Sequence, residues 1–190
     1  MYRSSHQLKI DPYLVGFLRG DGSTSKRKDG AYAVWVDQAE KNRDIFEQGV
    51  LPRFERLGPK VYSYRYYAKK DRTSKLRALV YSKELYMELR RIFRDMESYI
   101  ESLSDTEVKE FIAGMMDAEG TVTDRVVIYN KDTKLLRLIQ RRLDRLGIDG
   151  SHIYKFGVVH GLQLYRRGSL KRLVGEIPSV KLRSKKGHNL

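Results

Sequence analysis

A short pattern occurs twice in the chain, as Leu14-Val15-Gly16-Phe17-Leu18-Arg19-Gly20-Asp21-Gly22 and as Ile112-Ala113-Gly114-Met115-Met116-Asp117-Ala118-Glu119-Gly120. Aligned without a gap, Gly16 answers Gly114, Asp21 answers Glu119 and Gly22 answers Gly120, so a carboxylate followed by glycine closes each copy. Read as helices, both copies carry small residues one turn apart, Gly16 with Gly20 and Gly114 with Ala118, which clears one face so that two backbones can approach closely. Two such helices side by side bring their last-turn acids together.

The order of elements repeats with the motif. Asp11-Pro12 supplies an N-cap and a proline at the first helical position, so the first motif helix starts at about Pro12 and Gly22 stops it. Ser23 to Gly30, with Lys26, Arg27 and Lys28, reads as a cationic strand and turn. Ala31 to Gln38 alternates Tyr32, Val34 and Val36 against Ala33, Trp35 and Asp37. Asn42 to Leu57 sets Phe46, Val50, Phe54 and Leu57 at helical spacing, with a break or kink at Gly49 and Pro52. Beyond Gly58-Pro59, Lys60 to Ala68 alternates Tyr62, Tyr64 and Tyr66 against Ser63, Arg65 and Tyr67, and Lys75 to Tyr81 alternates Leu76, Ala78 and Val80 against Lys75, Arg77 and Leu79. A Ser82-capped helix with Leu85, Leu89, Ile92 and Phe93 completes the half.

After a polar connector, Arg94 to Leu103, the capping box Ser104-Asp105-Thr106-Glu107 begins the second motif helix near Asp105. Thr121 to Asn130 is expected as a hairpin with Val126 and Ile128 inward and Arg125, Val127 and Tyr129 outward. Leu135, Leu136, Ile139, Leu143 and Leu146 define a helix closed by Gly147. His152 to Phe156 and Leu162 to Arg167 make the last hairpin, Leu170 to Val174 a short helix, and Lys181 to His188 a basic tail. The spacing from Gly58 to Gly147 is shorter than that from Asp21 to Glu119, so the second half is shorter, most economically in its first hairpin. The expected fold is α+β: two pseudo-symmetric αββαββα repeats, 1–95 and 105–190, joined by a linker at 96–104. The motif helices pack at the centre, with Gly16, Gly20, Gly114 and Ala118 at their interface, and two antiparallel β-sheets form saddles.

With 190 residues, 41% of them apolar, the chain can bury a real core. Lys and Arg number 38 against 24 acids, a net charge of +14, so an extended polyanion is the natural partner. No long apolar run predicts a membrane span, and the polar start carries no secretory signal, so a soluble intracellular protein is expected. Zero cysteines exclude disulfides and thiolate metal sites. The four histidines, His6, His152, His160 and His188, are scattered without ligand spacing and read as surface or strand residues.

One face of each sheet must pack under the helices. The other is then expected to carry Trp35, Asp37, Arg65, Tyr67, Lys75 and Arg77 in half one and Arg125, Tyr129, Gln163, Tyr165 and Arg167 in half two, with Lys26, Arg27 and Lys28 on the basic arm. Twisted ribbons of this kind fit the major groove of double-stranded DNA. Asp21 and Glu119 stand at helix C-termini, where the dipole disfavours an anion, and two close carboxylates repel unless a cation lies between them. Oxygen donors with no histidine or cysteine nearby suit Mg²⁺. Gly20 and Ala118 stand beside the acids in the expected metal site. Such an assembly hydrolyses phosphodiesters.

The duplicated pattern, apolar-small-Gly-apolar-apolar-x-small-acid-Gly, resembles the signature of the LAGLIDADG homing endonucleases, and the repeated element order resembles their monomeric, two-repeat branch. The first copy departs from the named motif at Arg19, where the second has Asp117, and at Gly20, where alanine is usual. Arg19 and Asp117 are a candidate pair across the helix interface. The resemblance implies a site-specific enzyme that makes a staggered double-strand break, with paired metals serving both scissile phosphates across the minor groove and leaving short 3′ overhangs. It also implies a polar residue at the end of the second strand of each half that orders water, matched by Gln38 and by Asn130 with Lys131, and a lysine near the site, matched by Lys181. Two or three Mg²⁺ ions are expected, with Mn²⁺ substituting and Ca²⁺ supporting binding without cleavage. With no protein-splicing block around the motifs, the resemblance points to a free-standing intron-encoded enzyme. Two rivals share the scaffold: an RNA-splicing maturase bound to intron RNA, and a non-catalytic DNA-binding regulator, which has no need of two repelling carboxylates.

Overall fold

The computed structural model describes residues 8–185, so His6, His188 and the end of the basic tail lie outside the described part. The first motif helix, α1 (Pro12–Asp21), starts where Asp11 caps it, its carboxylate accepting from the Tyr13 N–H at 2.9 Å. The second, α5 (Asp105–Glu119), starts at the expected capping box, with Ser104 and Glu107 bonded reciprocally. Both end on an extended glycine, Gly22 or Gly120, whose N–H bonds back to the Leu18 or Met116 carbonyl. A side chain at either glycine would strike that same carbonyl, so space rather than backbone angle selects glycine there. α1 and α5 pack backbone to backbone. A methyl group at Gly16 would fall on the Phe111 carbonyl, and one at Gly114 on the Tyr13 carbonyl.

Each motif helix leads into a four-stranded antiparallel sheet. In half one the strands are β1 (Gly22–Lys26), β2 (Tyr32–Ala39), β3 (Val61–Ala68) and β4 (Thr73–Tyr81), in the order β1-β2-β4-β3. In half two they are β5 (Gly120–Val122), β6 (Val126–Asn130), β7 (His152–Phe156) and β8 (Val159–Leu164), in the order β5-β6-β8-β7. The topology is thus repeated, and the first hairpin is shorter in half two, as expected (22–39 against 120–130), but so is the second (61–81 against 152–164). One apolar core runs through both halves, from Tyr13, Leu14 and Phe17 on α1 to Phe111, Ile112 and Met115 on α5 and out to Val34, Val80, Ile128 and Leu162 on the sheets. Helices α3 (Lys83–Arg94), α6 (Thr133–Arg145) and α7 (Arg167–Glu176) flank it. Among the described residues no helix is long and apolar enough to cross a membrane.

Several expectations are corrected. The connector is not a polar linker: Met96–Ser102 forms α4, capped by Asp95, with Met96 and Ile100 buried at helical spacing. The segment after β2 breaks as expected, into a 3₁₀ turn (Glu40–Asn42), a π-type turn (Ile45–Val50) and α2 (Leu51–Glu55). Pro52 has no N–H to donate to the preceding turn, and Gly49 leaves room for the Tyr13 hydroxyl. The last strand ends at Leu164, so Arg167 opens α7 instead of lying on the sheet. Val127, expected outward, is buried at 3% exposure: Gly161 has no side chain, and the Tyr154 ring and the Val127 methyl share the space over it. The start of the basic tail is a helix, α8 (Val180–Lys185), whose Val180 and Leu182 enter the core.

Candidate active site and nucleic-acid interface

Because the motif helices run side by side in the same sense of the repeat, their ends meet. A methyl group on Gly20 would lie 2.7 Å from the Ala118 Cβ and 2.8 Å from the Glu119 Cγ, so the end of α1 rests directly against the end of α5. Burial raises the Asp21 carboxyl above its ordinary range, opposed by Gln38, Lys181 and Lys75. Burial also raises Glu119, and the Asp21 charge raises it further, while Lys181 opposes. Two partly desolvated acids that feel each other at two helix C-termini favour a bound cation.

Gln38 is 3% exposed and spends both ends of its amide: Nε2 donates to Asp21 Oδ2 at 2.6 Å, and Oε1 accepts from Asn42 Nδ2 at 3.0 Å. Its counterpart Asn130 occupies the matching place, at the end of β6 on the helix-facing side of the sheet. There, however, its Oδ1 accepts from the Asp132 N–H at 2.9 Å, bracing the start of α6 rather than Glu119. A cavity of about 240 Å³ opens beside Glu119, lined by Arg19, Gly20, Tyr129, Asn130 and Lys131. Lys181 reaches the junction from α8, its ammonium donating to the Gly120 carbonyl at 2.8 Å and the Ala118 carbonyl at 3.5 Å. Burial lowers its pKa, and Asp117, Asp21 and Glu119 pull it back up. The structure therefore brings together Asp21, Glu119, Gln38 and Lys181, with Asn130 and Lys131 at the edge of the Glu119 cavity.

Arg19 and Asp117 do not pair. Arg19 crosses to Asp132 at 2.9 Å and lies over the Phe93 ring. Asp117 is fully buried and takes donors from Tyr13, Ser179, Val180 and Lys181. Neither Tyr13 nor Ser179 was singled out in the sequence, although a serine just before an apolar, cationic run is a readable N-cap signal.

The outer face of the first sheet is set by register. β4 pairs Leu76 with Arg65, Lys75 with Tyr66 and Arg77 with Tyr64, so directly opposed residues share a face. Tyr62, Tyr64 and Tyr66 therefore stand on the face of Trp35, Asp37, Lys75 and Arg77, whereas Arg65 and Tyr67, expected there, lie on the opposite one. Arg65 turns to Glu40 at 3.0 Å, and Tyr67 is 60% exposed at the sheet edge. Four of the residues in Val61-Tyr62-Ser63-Tyr64-Arg65-Tyr66-Tyr67 are tyrosines in both phases, and only Val61, opposite buried Val80, marks the inner one. Arg77 binds Asp37 through two nitrogens at 2.6 and 2.7 Å and lies over the Trp35 and Tyr66 rings. Lys75 pairs with Asp71. On the basic arm, Lys26 lies over the Tyr32 ring, Arg27 binds the Tyr81 hydroxyl at 2.9 Å, and Lys28 is exposed in the turn. In half two, Tyr129 packs on Phe156, Gln163 lies opposite Val127, and Tyr165, one residue past β8, packs on His152. Arg125 sits on the β5–β6 turn, bonded to Asp124. His152 and His160 are strand residues, as expected.

Known proteins share this arrangement. A family model described as a LAGLIDADG-like domain matches residues 106–178. Homing endonuclease I-DmoI of Desulfurococcus mucosus is 32% identical over 155 residues, spanning 78% of this chain and 76% of that protein. The crystal structure of I-DmoI in complex with DNA and Mn aligns with a TM-score of 0.70 at 26% identity, covering 88% of this chain and 95% of that one. I-DmoI in complex with DNA and Ca aligns at 0.71 and 26%, covering 91% of each. The N-terminal LAGLIDADG domain of DUF199/WhiA aligns at 0.63 over 96% of this chain and 89% of its own, and at 15% identity shows the shared fold alone. With the doubled motif, the repeated sheets and a relative matched over three quarters of its length, the chain belongs to the LAGLIDADG homing endonuclease family.

Proposed function

We propose that this protein is a homing endonuclease that makes a staggered double-strand break in a long, asymmetric DNA site by divalent-metal-dependent phosphodiester hydrolysis, and that it acts as a monomer. The observation that carries this reading is the meeting of Asp21 and Glu119 at the ends of α1 and α5, with Lys181 beside both. Both acids come from one chain and one core, so no second copy is needed to complete the pair.

The residues fit a hard divalent ion. Among the described residues no group of three or more His, Cys, Asp or Glu side chains is assembled to hold a metal. Asp21 and Glu119 would be the side-chain ligands, with the Gly20 and Ala118 positions beside them. Few protein ligands, all oxygen, suit Mg²⁺, which keeps waters and accepts phosphate oxygens. Mn²⁺ is expected to substitute and Ca²⁺ to support binding alone. When bound, such an ion supplies Lewis acidity and charge neutralisation to phosphate hydrolysis.

The chain's own groups do the rest. Gln38 holds Asp21 in one orientation. Lys181 supplies a fixed positive charge where phosphate charge builds. Asn130 and Lys131 serve the Glu119 side from the rim of its cavity. The outer sheet faces read the major groove, with Trp35, Asp37, Lys75 and Arg77 joined by Tyr62, Tyr64 and Tyr66, and with Tyr129, Gln163 and Tyr165 in half two. Lys26, Arg27, Lys28, Arg125 and Arg167 add charge toward the phosphates, and the net charge of +14 supports a polyanionic partner.

The test uses a duplex spanning the insertion-free allele of the locus that carries the gene, as for an intron-encoded enzyme, incubated in Mg²⁺, Mn²⁺ and Ca²⁺ with both strands end-mapped. Staggered cuts in Mg²⁺ and Mn²⁺ are expected, lost in Asp21→Asn and Glu119→Gln, with binding retained in Ca²⁺. Tight binding with no cut under any divalent ion would overturn the catalytic reading.

A further inference from the structure

Asp117 is the one fully buried carboxylate among the described residues, and the chemistry above makes no use of it. Its two oxygens are filled. Oδ1 accepts from the Ser179 hydroxyl at 2.6 Å and from the Lys181 N–H at 2.9 Å. Oδ2 accepts from the Tyr13 hydroxyl at 2.9 Å and from the Val180 N–H at 2.9 Å. Three donors thus come from the first residues of α8 and its cap, and the fourth from α1. The Ser179 hydroxyl also accepts from the Leu182 N–H at 3.2 Å, closing the turn. One side chain on α5 therefore fixes the start of α8 to both motif helices.

What that junction carries is Lys181. Its backbone N–H is one of the four donors, and its ammonium runs back to the Gly120 and Ala118 carbonyls at the end of the same helix that bears Asp117. The first half offers an internal contrast. There Arg19 stands at the matched motif position and turns to Asp132, and the helix in the place of α8 is α4, whose second residue is Glu97, paired with Arg141. The half with the buried acid delivers a lysine to the junction; the half without it delivers none. A carboxylate kept only for packing would be a costly choice at full burial, because an apolar side chain needs no donors.

We infer that Asp117 is a positioning residue: by holding Ser179, Val180 and Lys181 it sets the Lys181 ammonium at the carboxylate pair. This rests on the cleavage reading above. A merely structural role for Asp117 makes a different prediction, and a double-mutant cycle separates the two.

Single-turnover cleavage in Mg²⁺, DNA affinity in Ca²⁺ and backbone hydrogen exchange are measured for wild type, Asp117→Asn, Lys181→Met and the double variant. Asp117→Asn is expected to slow cleavage by about 10- to 100-fold, the range for loss of a group that orients a reacting one. Affinity in Ca²⁺ should stay within about twofold of wild type, and exchange should rise at Val180, Lys181 and Leu182. In the Lys181→Met background, the same Asp117→Asn change should slow cleavage by less than about twofold, since two changes that act through one group do not add. Ser179→Ala, which removes one donor and leaves the carboxylate buried and bonded, should show a smaller loss with the same non-additivity, and keeps the test open if Asp117→Asn does not fold. Equal fold-losses in both backgrounds would overturn the inference, as would an undiminished rate in Lys181→Met, which would leave nothing to position. Absence of cleavage by wild type would instead overturn the endonuclease reading on which it rests.

Discussion

Gln38 donates its amide to Asp21 across 2.6 Å, and among the described residues no side chain does the same for Glu119. The duplicated motif thus ends in two unlike centres. Asp21 is oriented by a buried amide that is itself held by Asn42, whereas Glu119 faces a cavity whose nearest amide, Asn130, is engaged at the start of α6.

The inequality predicts unequal strand cleavage. Gln38→Leu removes the group that orients Asp21 and leaves Glu119 untouched. It should slow one strand by about 10- to 100-fold while the other is cut at close to the wild-type rate, so that nicked duplex accumulates. Strand-specific end-labelling reads the result directly. Equal slowing of both strands would show that the two centres act as one unit.

The two acids also set a pH dependence of stability. Folding raises the pKa of both Asp21 and Glu119, chiefly through burial, so the folded state binds their protons more readily than the unfolded chain does. Their contribution is fully present below the ordinary carboxylate range and is lost as pH rises through the raised folded values. In metal-free protein at neutral pH, Asp21→Asn or Glu119→Gln should therefore raise the melting temperature, and the gain should shrink to nothing as the pH is taken below about 4. Added Mg²⁺ should raise the midpoint of wild type and not of the double variant. Calorimetry across pH in the presence and absence of a chelator checks both arms; a lower midpoint for the variants at neutral pH would contradict the sign.

The close helix approach makes the motif glycines differ from one another. At Gly16 and Gly114 an added methyl meets the backbone of the partner helix, which can yield only if the helices part. Gly16→Ala and Gly114→Ala should each cost about 1–3 kcal/mol or more, as overpacking does. At Gly20 the added methyl meets the Ala118 methyl and the Glu119 side chain instead. Gly20→Ala should therefore cost less stability and more cleavage, because Glu119 must move. Chemical denaturation alongside single-turnover rates separates these cases.

Much of this was legible in the sequence because it was local. The caps at Asp11 and Ser104, the stops at Gly22 and Gly120, and the alternation in β2 and β4 each depend on residues within one element, and each stands as read. What was hidden depended on partners far along the chain. Asp117 finds Ser179 and Val180 more than sixty residues away, and nothing in its own motif announces that. Arg19 and Asp117 sit at matched positions with opposite charges, which invites a pair; the fold instead gives each a separate neighbour. α4 carries Met96 and Ile100 at helical spacing, but too few apolar residues to stand out from a linker. In β3 the tyrosines occupy both phases, so alternation carried no information.

That last point yields the prediction most able to test the interface. If the outer face of the first sheet meets DNA, Tyr64, Tyr66 and Arg77 belong to it, while Arg65 and Tyr67 face the other way. Arg77 is held rigid by Asp37 between the Trp35 and Tyr66 rings, so little ordering remains to be done on binding. Arg77→Ala should weaken binding in Ca²⁺ by about 1–3 kcal/mol and relax selectivity at the base pairs beneath it. Tyr64→Ala and Tyr66→Ala should weaken binding as well, the latter in part by loosening Arg77. Arg65→Ala and Tyr67→Ala should change affinity by less than about 0.5 kcal/mol, the usual range for surface changes away from a contact. Titrations against the cognate duplex and single-base variants, at two salt concentrations, measure all five. Losses for Arg65→Ala and Tyr67→Ala equal to those for Arg77→Ala would place the DNA on the wrong side of β3 for this register, and with it the whole sheet interface.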